Sequence, residues 1–149
     1  MTPKNFFPGL SLLLILLISS NAFAENRIGT IKVIIENIKS SNGLAQVKLF
    51  NSPEGFPVSV EKALHIRKVM IIERKAELTF KDLPYGQYAI GAIHDENGNG
   101  KMDLKWGFYP AEGAGVSNNP EPGFIRPGFE VSKISLKVPE MELVVRINY

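Results

Sequence analysis

Cysteine is absent from this chain. Its absence excludes a disulfide framework, a thiolate zinc site and the lipidated cysteine of an N-terminal lipoprotein anchor. Concentrated charge is missing as well. The 17 Lys and Arg face 15 Asp and Glu with no dense basic block, so the electrostatic footprint of a nucleic-acid partner is not there. The basic stretch His65-Ile66-Arg67-Lys68 is interrupted by an apolar position and reads as the outer face of a strand. Internal repeats and low-complexity tracts are also lacking, and nothing suggests a second domain.

Long apolar runs are confined to the start. Lys4 precedes a largely apolar stretch from Phe6 to Ile18, and Ala22-Phe23-Ala24 matches a small-residue cleavage site. The stretch is shorter than the ~20 residues that span a bilayer, and Ser19-Ser20-Asn21 interrupts it. The expectation is a signal peptide over residues 1–24 and a single folded domain over residues 25–149. The mature protein is then exported, periplasmic or extracellular, with no transmembrane segment after cleavage. Its length is sufficient to bury a core without covalent staples.

Period-two patterns dominate the remainder. Ile31, Val33 and Ile35 alternate with Lys32 and Glu36, and Ala45, Val47 and Leu49 with Gln46 and Lys48, as half-buried strands do. Ser40-Ser41-Asn42-Gly43 between them is a turn signal that predicts a hairpin. Further strands fit residues 66–73, 76–82, 87–94, 129–138 with an irregularity near Lys133, and 142–149. Tyr88 to Ile93 is apolar on both pleat faces, as in a central strand. Seven short strands predict an all-β, antiparallel seven-stranded β-sandwich. The one helical spacing is Ser59 to Leu64, through Val60, Ala63 and Leu64. Leu143, Val145, Ile147 and Tyr149 alternate as an outer-membrane barrel strand would, but the strands are too few and too short for a barrel.

From Leu104 to Gly128 periodicity gives way to Gly and Pro, which predicts a long loop of the kind that binds or covers. Trp106, Phe108, Tyr109 and Phe124 argue that it is ordered, because aromatic rings need burial or a partner. Burial of Trp106 as a plug over the sandwich end is the expectation. The alternative is that Trp106 and Tyr109 form a platform for a carbohydrate or peptide ligand.

The sharpest chemical pattern is Asp95-Glu96-Asn97-Gly98-Asn99-Gly100-Lys101-Met102-Asp103. Oxygen side chains at alternate positions ahead of a glycine are the opening of a calcium loop. Asp95, Asn97 and Asn99 would converge as ligands, Gly100 would allow the bend, Lys101 would offer its backbone carbonyl and Asp103 would ligate directly or through water. Trp106 stands where an EF-hand has its bidentate Glu, so further oxygens must come from elsewhere, with Glu112, Asn118 and Asn119 as candidates. Ca2+ is the expected ion, because several converging protein oxygens suit its large, adaptable shell better than that of magnesium. A metal-free turn on Asn97-Gly98 or Asn99-Gly100 is the alternative. His94 beside Asp95, with Glu112, admits a hydrolase reading, but no nucleophile sits in a recognisable motif, and a non-catalytic protein is expected. His65 stands alone.

Three blocks taken together resemble a known family: Phe80-Lys81-Asp82-Leu83-Pro84-Tyr85-Gly86-Gln87-Tyr88-Ala89, then His94 to Asp103, then Glu112-Gly113-Ala114-Gly115-Val116-Ser117-Asn118-Asn119. They look like the exported bacterial proteins classed as domain of unknown function 2141. The first block alone is similar to repeats in transthyretin-like and carboxypeptidase-regulatory-like β-sandwiches. In it Pro84 fixes a turn, Gly86 is expected to take an unusual backbone angle, and Phe80 and Tyr88 bury their rings. The resemblance implies a module that binds, caps or spaces, with a protein or glycan partner.

Overall fold

The structure is a computed structural model that describes residues 27–123 and 125–149. The segment expected as a signal peptide, residues 1–24, and Phe124 lie outside the described residues. Ten short strands and one helical turn follow in order: β1 (Ile28–Glu36), β2 (Leu44–Phe50), β3 (His65–Met70), β4 (Ala76–Pro84), β5 (Gly86–Asp95), β6 (Leu104–Lys105), β7 (Tyr109–Pro110), β8 (Ala114–Val116), α1 (Phe129–Ser132), β9 (Ile134–Leu136) and β10 (Glu140–Arg146). The chain is mostly β and sandwich-like, as expected, but its strand inventory is larger than seven.

One sheet has the order β10-β1-β4, the other β3-β2-β5-β8, with β9 also on β5. A separate ribbon pairs β6 with β7. The expected β1–β2 hairpin does not form. β1 pairs β4 and β10, while β2 pairs β3 and β5, so the Ser40-Ser41-Asn42-Gly43 segment carries the chain from one sheet to the other. The β1–β10 pair is parallel, against the expectation of wholly antiparallel sheets.

The core lies between the two main sheets. Ile31, Val33 and Ile35 of β1 and Leu78 and Phe80 of β4 meet Val47 and Leu49 of β2 and Tyr88 and Ile90 of β5. Each large apolar side chain taken from water there contributes about 1.5–3 kcal/mol. The period-two alternation of β1 is what turns these residues inward together.

β2 and β5 depart from the half-buried pattern, because their outer faces are covered too. Phe50, Ala89 and Phe129 form a second small core with Phe56 and Ala63. Phe56 stands edge-on to both Phe50 and Phe129, with ring centroids 5.3 and 5.9 Å apart. The segment expected as a helix at Ser59 to Leu64 is a run of turns in this cover, with Gly55 O accepting the N–H groups of Val58 and Ser59. Gly91 lets the cover close, since a Cβ there would stand 2.8 Å from Pro57.

The strand expected from Phe129 to Val138 splits at Lys133, where α1 ends and β9 begins. Phe129 faces the outer core from α1, whereas Leu136 faces the main core from β9. In the Phe80 to Ala89 block the left-handed backbone angle belongs to Asp82, at φ 56°, rather than to Gly86. Tyr88 instead closes that turn with a 2.6 Å hydrogen bond from its hydroxyl to the Pro84 carbonyl.

Candidate functional site

β5 runs through the centre of its sheet and delivers His94 and Asp95, both fully buried, to one end of the sandwich. The chain then leaves the sheet, turns through residues 96–103, makes the β6–β7 ribbon and returns as β8 alongside β5. The segment expected as one long irregular loop therefore contains three short strands. They escape sequence reading because two or three residues carry no periodicity and Gly115 dilutes the pattern of β8.

Asp95 closes the turn by accepting the Gly100 N–H on Oδ2 at 2.7 Å. Gly98 and Gly100 take left-handed φ angles of 73° and 79°, which is what glycine supplies at these positions. Asn97 Oδ1 accepts the Asn99 N–H at 3.0 Å and Asn99 Oδ1 accepts the Lys101 N–H at 2.8 Å. The same two amides donate their Nδ2 groups to the Asp103 carboxylate, at 2.5 and 2.9 Å. Asn97 and Asn99 thus gather on Asp103 through their amide nitrogens, while their oxygens are turned to backbone N–H groups of the loop.

Beneath the turn lies a polar floor that sequence reading places in solvent. Gln46 and Lys48 of β2 are 2% and 5% exposed. Gln46 Nε2 donates to the Gly100 carbonyl at 3.1 Å. Two buried oxygens there have no hydrogen-bond partner: Asp95 Oδ1 and Gln46 Oε1. Burial depresses the Lys48 pKa, Asp95 opposes that shift, and Lys68 adds to the depression. Nothing in the sequence marks Gln46 for this role, because the pairing of β2 with β5 that brings it under the turn is tertiary.

The donors fit a hard cation in kind. Asp95, Asn97, Asn99, Asp103 and the Lys101 carbonyl are oxygens, and an orphaned carboxylate oxygen at the first position is what a cation would satisfy. Engagement of Asp103 requires the hydrogen bonds from Asn97 and Asn99 to give way. Among the described residues no group of three or more His, Cys, Asp or Glu side chains is gathered as a metal cage.

The further candidates divide. Glu112 is buried against the turn, where Oε1 accepts the Glu96 N–H at 2.8 Å and Oε2 the Asp103 N–H at 3.1 Å, so it braces both ends of the loop. Asn118 and Asn119 are committed elsewhere. Asn118 donates to the Val131 and Lys133 carbonyls, and Asn119 bonds the backbone of Val144 and Arg146.

His94 and Glu112 do not form an acid–base pair. His94 Nε2 lies 2.7 Å from the Asn42 carbonyl oxygen and Nδ1 lies 2.7 Å from the Tyr149 hydroxyl. Both ring nitrogens and both Glu112 oxygens are occupied in holding the fold.

The expected aromatic plug is overturned. Trp106 is 81% exposed, Phe108 76% and Tyr109 51%, at and beside the tip of the β6–β7 ribbon. Phe108 N–H reaches the Lys105 carbonyl at 3.3 Å, and Trp106 and Gly107 both have left-handed φ, 53° and 80°. The ribbon base is closed by the Ala111 N–H on the Asp103 carbonyl at 2.7 Å, so turn and ribbon are one continuous excursion.

Fold and site together define a β-sandwich with an oxygen-rich turn and an exposed aromatic ribbon at one end. Residues 33–143 match the model of a bacterial family described as "Uncharacterized protein conserved in bacteria (DUF2141)". The chain belongs to this family. No curated protein and no solved structure gives a significant match. Among the described residues no helix is long and apolar enough to cross a membrane.

Proposed function

We propose that the protein is an exported, non-catalytic β-sandwich module that acts in the periplasm or at the cell surface and binds calcium in the turn of residues 95–103. The observation that carries this reading is the buried, unpartnered Oδ1 of Asp95 at the head of an oxygen-rich turn. A buried carboxylate oxygen without a partner is costly, and a cation at that point offsets the cost. Asp95, Asn97, Asn99, Asp103 and the Lys101 carbonyl would hold the ion, and Glu112 would brace the turn. Calcium then serves to fix the ribbon that follows Asp103, which is the module's binding element. The N-terminal pattern of Lys4, the apolar stretch and Ala22-Phe23-Ala24 supports export.

The experiment is calorimetric titration of the mature protein with calcium, alongside thermal melts in calcium and in chelator. Uptake with a raised melting temperature is expected. Identical melts with no uptake would reduce the turn to a structural element. A second reading, favoured by the exposure of Trp106 and Tyr109, is a carbohydrate or peptide ligand on the ribbon. Protection of Trp106 from acrylamide by a soluble oligosaccharide or peptide tests it.

A further inference from the structure

We propose that the ribbon of residues 104–110 docks the protein onto an anionic lipid surface, with Trp106 and Phe108 entering the headgroup boundary. The inference rests on the reading above in one respect: calcium in the turn aims the ribbon. Four large apolar side chains stand in water within six residues, since Leu104 is 49% exposed in addition to Trp106, Phe108 and Tyr109. The ribbon is free-standing at its tip, where a Cβ added to Gly107 would meet nothing within 4 Å.

Trp106 is a poor choice for the turn it makes. A left-handed φ of 53° favours Asn or Gly and strains a bulky side chain. Local structure therefore does not account for tryptophan at this position, whereas its outward display does. Trp and Tyr are the side chains suited to a membrane–water boundary, because each joins an apolar ring to a polar handle.

The chemistry around the rings selects among occupants. A sugar needs a flat stacking face with hydrogen-bonding groups beside it. Trp106 and Tyr109 are tilted by 54° at a centroid distance of 6.5 Å. The Asn97, Asn99 and Asp103 side chains serve the turn, bonding one another and backbone N–H groups or, in the reading above, the calcium ion, so none is given to a ligand on the rings. A peptide needs a groove or a long strand edge, and these strands have two residues each. A lipid surface needs neither. It needs a convex apolar tip with cations at its flanks, and Lys101 and Lys105 are exposed there, neither in an ion pair among the described residues. Calcium in the adjoining turn would offset the Asp95 and Asp103 charges, which otherwise repel an anionic surface.

The test uses the mature protein with vesicles of phosphatidylcholine, with or without phosphatidylglycerol, in calcium or in chelator. Trp106 is the one tryptophan, so its emission reports insertion directly. Expected are a blue shift and co-sedimentation with the phosphatidylglycerol vesicles in calcium. Trp106→Ala with Phe108→Ala should weaken co-sedimentation at least about tenfold while calcium uptake and melting temperature stay as in wild type. Lys101→Glu with Lys105→Glu should weaken it as well. Calcium uptake without vesicle binding would overturn docking and leave the calcium reading standing. Vesicle binding without calcium uptake would support docking and sink the calcium reading alone. Wild-type sedimentation of the Trp106/Phe108 double variant, or protection of Trp106 by a soluble oligosaccharide without vesicle binding, would also overturn the proposal.

Discussion

The Asn42 carbonyl sets the tautomer of His94, 52 residues away in the sequence. The Asn42 carbonyl can only accept, so Nε2 of the buried imidazole carries the hydrogen and Nδ1 accepts from the Tyr149 hydroxyl. The same hydroxyl accepts the Lys39 N–H at 3.0 Å. The β1–β2 crossover, the end of β5 and the chain beyond β10 are thereby tied together beneath the turn.

Tyr149→Phe removes the donor and leaves a buried ring nitrogen unpaired in either tautomer. The expected cost is about 1–3 kcal/mol, read by chemical denaturation. Full retention of stability would show that water reaches the ring.

Calcium at about 100 times its dissociation constant should stabilise the fold by about 2.7 kcal/mol, a rise on the order of 10 °C in melting temperature for a domain of this size. Asp95→Ala should abolish the rise. Glu96→Ala should retain it, because the Glu96 carboxylate faces Lys39 at 2.6 Å rather than the turn's interior. Equal loss in both variants would argue against Asp95 as the anchoring ligand.

Gln46→Met keeps the volume but releases the Gly100 carbonyl from its 3.1 Å hydrogen bond. A partner that orients the loop backbone is expected to cost about tenfold or more in calcium affinity when removed. Unchanged affinity by calorimetry would place Gln46 outside the site.

Lys48 links stability to pH. Its folded pKa lies below the ordinary 10.5, chiefly because burial disfavours the ammonium. The unfolded chain therefore binds more protons in the window below 10.5, and stability rises with pH across it. Lys48→Met should flatten that rise. It should also widen the melting difference between calcium and chelator, since a cation that opposes the Asp95 charge is gone. A rise of wild-type slope in Lys48→Met would assign the pH dependence to another group.

Acrylamide should quench Trp106 freely in the absence of vesicles, as its 81% exposure requires. Trp106→Ala should change stability by less than about 0.5 kcal/mol, the usual range for an exposed side chain. A larger loss, or weak quenching, would return the ring to the plug role.

The sequence by itself determined the strands of the main core and the chemistry of the turn, because both are local. Side chains two apart on a strand share a face whatever it packs on, and the Asp95 to Asp103 spacing puts short polar side chains within reach of their own loop backbone. Tertiary structure decided the rest. Ser40-Ser41-Asn42-Gly43 suits a hairpin, yet β1 pairs with β4 and β10 and β2 with β3 and β5, so pairing energy within the two sheets overrides the turn signal. Gln46 and Lys48 are buried because a cover formed by later segments closes over an outer face that alternation assigns to water. Glu112 reaches the turn because β8 returns beside β5. Trp106 is exposed because it sits at the tip of a two-stranded ribbon that pairs only with itself and is closed at its base on Asp103.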